Sequence, residues 1–114
     1  MRRDRERLRD MLEALDSLET IIADTDKTQF LSSDVHYYAV AQLLIVVGEA
    51  ASRVSTEIKV QFPAIDWRTI VGFRNVLVHQ YFSVLRPMVW QVATVESPLL
   101  RAQILQILDT EFPE

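Results

Sequence analysis

Apolar side chains recur every three to four positions along most of this chain, and that period predicts helices. Leu8, Met11, Leu12, Leu15, Leu18 and Ile22 fall on one stripe. Arg5, Glu6, Arg9, Asp10, Glu13 and Asp16 take the other face, so a first helix is predicted from about Asp4 to Ala23. Within it, Glu6 and Asp10 lie near Arg2, Arg3 and Arg9, giving near-turn ion pairs worth a few tenths of a kcal/mol, roughly, each. Asp24 to Thr28 has no period and reads as a polar connector. A second helix is predicted from Asp34 to about Lys59, capped by Ser32 or Ser33. It is apolar almost all round from Tyr37 to Val47, which marks it as the central helix. Phe62-Pro63 ends it.

Asp66 is a good N-cap for a third helix, and Trp67, Ile70, Phe73, Leu77 and Tyr81 share one of its faces. Val71, Val76 and Val78 broaden the apolar surface, so this helix is expected to be buried on more than one side, as contact with a second subunit would make it. Pro87 suits the first turn of a fourth helix. Ser97-Pro98 either kinks that helix or caps a new one, and Leu99, Leu100, Ile104, Leu105, Ile107 and Leu108 form a further apolar face. The last four residues are expected to fray. Two glycines and four prolines leave little turn chemistry for a sheet. The expectation is an all-α single domain over residues 1–114, an antiparallel bundle of four to five helices.

Charge narrows the function classes. The net formal charge is −4, unevenly spread. Residues 1–9 carry five arginines against Asp4 and Glu6, whereas the remainder carries seven cations against fourteen anions. An acidic body is a poor general binder of nucleic acid, so any RNA contact must be local. The basic start reads first as a solvated helix end with internal ion pairs. There is no cysteine, which excludes disulfides, thiolate metal sites and a cysteine nucleophile. Only His36 and His79 are histidines, and neither stands at metal-ligand spacing, so no metal site and no cofactor is expected. His36 reads as a packing residue. The longest apolar run, Ala39 to Val47 with Gln42 inside it, is too short to span a bilayer, and the arginine-rich start is no secretory signal.

The densest chemistry lies in Gly72 to Phe82, where Arg74, Asn75, His79 and Tyr81 stand among large apolar residues. On a helix Asn75 and His79 sit about one turn apart on one stripe. Arg74 and Tyr81 share another, provided the helix extends that far. Arg74 and His79 are roughly 140° apart around the axis, so one helix does not converge them. A second copy of the helix would supply the missing group. Upstream, Gly48 would let another backbone approach closely. Glu49 follows it, and the bland partner for its carboxylate is Arg53, four residues on; the functional reading has Glu49 orient Arg74 or a substrate hydroxyl.

Arg74-Asn75, three residues, His79, any residue, Tyr81 resembles the signature of HepT-like proteins of the HEPN superfamily. Gly48-Glu49-Ala50, the Asp66-Trp67 lead-in, and the helical tail with Trp90 and Pro98 extend the likeness over roughly residues 5–110. The resemblance implies a HEPN-type helical bundle that dimerises with its motifs facing across a cleft. It implies a metal-independent endoribonuclease toxin in which Arg74 and His79 are the catalytic pair and Asn75 supports them. It further implies a small nucleotidyltransferase antitoxin as partner, one that transfers AMP to Tyr81, with homodimers or higher assemblies in a prokaryotic cytoplasm. The chemistry fits these residue types: an imidazole trades protons near neutral pH, and a guanidinium offers a planar fork to phosphate. The alternative is a non-catalytic helical module that binds a nucleotidyltransferase. The two differ in whether His79 is open or sealed from solvent. A helical metal or haem binder would need more inward ligands than two histidines and Glu49 provide.

Overall fold

The computed structural model describes residues 2–80 and 83–113. Among these residues seven α-helices follow one another: α1 (Arg2–Ala23), α2 (Lys27–Ser32), α3 (Asp34–Ser52), α4 (Thr56–Gln61), α5 (Trp67–His79), α6 (Arg86–Gln91) and α7 (Ser97–Glu111). A π segment, Val92–Glu96, joins the last two. No strand occurs among the described residues. The central helix is α3, with α1 on one side and α5 on the other, and α7 closes against α1. By length and composition α3 could cross a membrane, but here it is the core helix, with Tyr37, Val40, Ala41, Leu44 and Val47 buried. On α1, Leu8, Met11, Leu15 and Leu18 are buried as the stripe predicts, and Leu12 and Ile22 pack partly against the core.

Short polar side chains set the helix starts by accepting otherwise unpaired amides. Asp26 accepts from Gln29 N at 2.8 Å, Ser33 from His36 N at 3.3 Å, and Ser55 from Ile58 N at 3.3 Å. Asp66 accepts from Thr69 N at 3.1 Å and from the Thr69 hydroxyl at 2.7 Å. Those two bonds hold the Asp66 carboxyl below its usual range. Ser33 Oγ also meets His36 Nδ1 at 2.7 Å, which gives that half-buried histidine a structural partner.

Three expectations need correction. The segment read as a connector runs into α2, which starts at Lys27 within it and carries a fully buried Phe30 between Tyr37 and Trp90, with ring centroids 6.0 and 5.1 Å away. The helix expected to run to Lys59 stops at Ser52, and a new one starts at Thr56. The break sits where Ser52 and Ser55 offer the backbone competing hydrogen bonds: Ser52 Oγ donates to Glu49 O at 2.6 Å and Ser55 caps α4. Finally, α7 runs on to Glu111 and Phe112 packs partly against the core, so the tail is held further than expected.

Asp4 pins that break to α1. It is 4% exposed and accepts from Ser55 N at 2.8 Å and Ser55 Oγ at 2.6 Å. Replacing it would strand the half-buried amide and hydroxyl of Ser55. Asp4→Ala is expected to lower stability by about 2 kcal/mol, read as a lower urea midpoint at unchanged slope. A midpoint within error of the parent would show that water replaces the carboxylate at no cost.

At Ser97-Pro98 the chain neither breaks nor takes a side-chain cap. Proline lacks the N–H that would continue the α-helical ladder. The preceding turn widens instead: the Ser97 backbone N–H and its hydroxyl both donate to Val92 O, the latter at 2.8 Å. Near the other end of this pair, Arg86 donates to Asp34 at 2.6 Å and lies 4.5 Å over the Tyr37 ring. Burial pushes the Tyr37 hydroxyl's pKa up, with Arg86 opposing it.

Candidate active site

Sequence places Arg74 on α5 and Glu49 on α3; the packing of the two helices brings them together. Gly48 permits it. A methyl group at that position would overlap Cβ of Arg74, stand 2.8 Å from its Cγ and 3.2 Å from Ile70 O. With hydrogen there instead, the Arg74 stem lies directly on the α3 backbone. Its guanidinium then reaches Glu49, with Nη2 2.8 Å from Oε2. Nη1 donates to Asn75 Oδ1 at 3.0 Å. Arg53 joins from α3, its Nε 3.2 Å from Glu49 Oε1. Glu49 therefore holds the partner expected on the bland reading and the partner expected on the functional one at once.

The hydrogen-bond inventory of Arg74 decides what it can still do. A guanidinium has five N–H groups. One on each Nη is committed, to Glu49 and to Asn75. Nε is buried with no hydrogen-bond partner among the described residues. One N–H on each Nη remains for a ligand, which is the number needed to fork two phosphate oxygens. Arg74 opens, with Glu49, Arg53, Arg7, Gln42 and Val46, onto a groove of about 550 Å³ between α1 and α3.

His79 is the last residue of α5 and is exposed. Its ring forms no hydrogen bond among the described residues and does not line that groove. Asn75 is likewise exposed, and its side-chain carbonyl oxygen accepts from Arg74. As the helical angles require, one chain does not converge Arg74 and His79. The described part of α5 ends at His79; the expected shared stripe of Arg74 and Tyr81 involves Tyr81, which lies outside the described residues.

The third helix was expected to be buried on several sides. Within one chain α5 packs chiefly on α3, and only Trp67 and Leu77 are buried. Trp67 anchors its start, donating from Nε1 to Phe62 O at 3.2 Å. Val76 and Val78, inside the motif, are 37% and 40% exposed. Arg53 is the site residue that sequence reasoning placed only as a structural partner. Its signal was present, since Glu49 and Arg53 are one helical turn apart.

Comparison with known proteins shows the family. Residues 11–107 match the profile of a family described as Ribonuclease HepT-like. The chain is 32% identical over 101 residues to "Putative RNase MJ0125" of Methanocaldococcus jannaschii, covering 89% of this chain and 87% of that one. It is 28% identical over 96 residues to "Probable ribonuclease HepT" of Thermococcus cleftensis, covering 84% and 87%. No solved structure matches it.

Proposed function

Given that the chain belongs to the HepT-like ribonuclease family, we propose that it is the toxin of a toxin–antitoxin pair, a metal-independent endoribonuclease acting as a homodimer in the cytoplasm. Arg74 and His79 are its catalytic pair, supported by Asn75 and Glu49. The observation that carries this reading is the state of the motif itself. Arg74 is held on two sides yet keeps an uncommitted N–H on each Nη, and His79 stands open to solvent. A histidine kept for core packing would be sealed from solvent instead.

The chemistry follows from those groups. RNA supplies its own nucleophile, the 2′-hydroxyl. An imidazole removes its proton as the oxygen attacks the adjacent phosphorus. Charge builds on the phosphate oxygens, where the fixed guanidinium fork stabilises it. The bond to the 5′-oxygen breaks as that oxygen takes a proton, leaving a 2′,3′-cyclic phosphate and a 5′-hydroxyl. One motif histidine per chain makes a second subunit the natural source of the other proton-transfer group. The exposed Val76 and Val78 beside His79 support such a contact on α5.

Control would come from a nucleotidyltransferase antitoxin. The Tyr81 oxygen attacks the α-phosphorus of ATP, pyrophosphate leaves, and AMP stays on the tyrosine. That adds a bulky anion two residues from His79. The test is cleavage of single-stranded and structured RNA in excess EDTA by the parent, His79→Ala and Arg74→Ala. The parent is expected to leave cyclic phosphate ends, and each variant to lose about 10²-fold or more in rate. Cleavage kept by both variants would place the site elsewhere. A dimeric parent that is inert, with Tyr81 unmodified by mass spectrometry, would favour a non-catalytic module that binds the nucleotidyltransferase.

A further inference from the structure

Arg53 lies outside the motif yet shares a carboxylate with Arg74. Its Nε is 3.2 Å from Glu49 Oε1, while Arg74 Nη2 is 2.8 Å from Oε2. With Asn75 on the far side of Arg74, the four side chains form a row in which two positive charges flank one negative. The Arg53 side chain is 59% exposed, and pairs so open to water contribute little to stability by themselves. All three charged groups border the same groove. The pairing is therefore better explained by what it does for Glu49 than by what it does for the fold.

Glu49 has two opposed effects on a phosphate at Arg74. It fixes the plane of the guanidinium, which pre-organises the fork. It also puts a negative charge beside the place the phosphate must occupy, which repels it. We infer that Arg53 is a positioning residue for RNA: it offsets the charge of Glu49, so that Glu49 orients Arg74 without repelling the phosphate that Arg74 meets. Arg53 acts through Glu49 and does not touch the RNA. With both arginines the row carries one net positive charge; without Arg53 it carries none. This inference rests on the ribonuclease reading above.

The experiment compares the parent, Arg53→Met, Arg53→Lys, Glu49→Gln and the double variant Glu49→Gln/Arg53→Met, all as full chains. Cleavage kinetics on a single-stranded RNA are paired with binding of the same oligomer made uncleavable by 2′-O-methyl groups. At low salt Arg53→Met is expected to raise KM and Kd about fivefold with kcat nearly unchanged, and at high salt the difference should vanish. Arg53→Lys should restore most of the loss. In the Glu49→Gln background no carboxylate holds the exposed Arg53 in the row, so Arg53→Met should cost less than half as much. An equal loss in both backgrounds would mean that Arg53 meets RNA directly and would overturn the inference. So would a fall in kcat alone that lysine does not rescue, the mark of a purely structural role. A parent that neither cleaves nor binds RNA would overturn the ribonuclease reading and this inference with it.

Discussion

Gly48→Ala is expected to cost about 1–3 kcal/mol of stability and most of the RNA cleavage. The added methyl would collide with Cβ and Cγ of Arg74 and press on the Ile70 carbonyl. A clash with the far end of a long side chain is relieved by a rotamer change, but Cβ moves only with its backbone. The remedy is for α3 and α5 to separate, and α3 is the main support that α5 has. Separation also draws Glu49 away from Arg74, so fold and chemistry suffer together. Urea unfolding and the cleavage rate, measured on one preparation, check both. Gly72→Ala is the control. A Cβ there meets nothing within 4 Å, and the site is mid-helix, so that variant should gain about 0.5–1 kcal/mol. A Gly48→Ala chain with the parent's midpoint and full cleavage would show that close helix contact does not seat the arginine.

Arg74→Lys is expected to lower kcat/KM about 10²-fold although the charge is kept. The two side chains share the stem that lies against Gly48, so the packing of α5 should survive. What is lost is the fork. An ammonium has three donors on one atom, and it cannot hold Glu49 and Asn75 while presenting two parallel donors to a phosphate. If charge alone matters at this position, the lysine variant will cleave within a few-fold of the parent. The comparison separates orientation from charge, which Arg74→Ala removes together.

Much of this was legible in the chain, and the parts that were not share a cause. The stripe on α1, the Asp66 cap, the apolar character of α3 and the role of Gly48 each follow from spacing or from one residue's shape. The helix α2 was missed because its period is too short to register. Yet Asp26 followed three residues later by Gln29 is the pattern of a capping box, and Asp26 accepts from Gln29 N. The stop at Ser52 was missed because no glycine or proline marks it. It depends on Asp4, 51 positions from its partner Ser55, and no local window contains both. The site divides the same way. The pairing of Glu49 with Arg53 is a matter of helical turn; that Arg74 completes it depends on how closely α3 and α5 pack.

The single-sided support of α5 has a thermodynamic consequence. A helix joined to the rest of the molecule mainly through one interface can open locally at less cost than the whole fold requires. The element that carries Arg74 and His79 therefore belongs to the less protected part of the molecule. Whatever covers its remaining faces in the folded state stabilises it by mass action, in proportion to concentration over affinity. If the chain pairs as proposed, assembly and local order at the motif are one linked equilibrium, and dilution would loosen the helix of Arg74 and His79 before it unfolds the core.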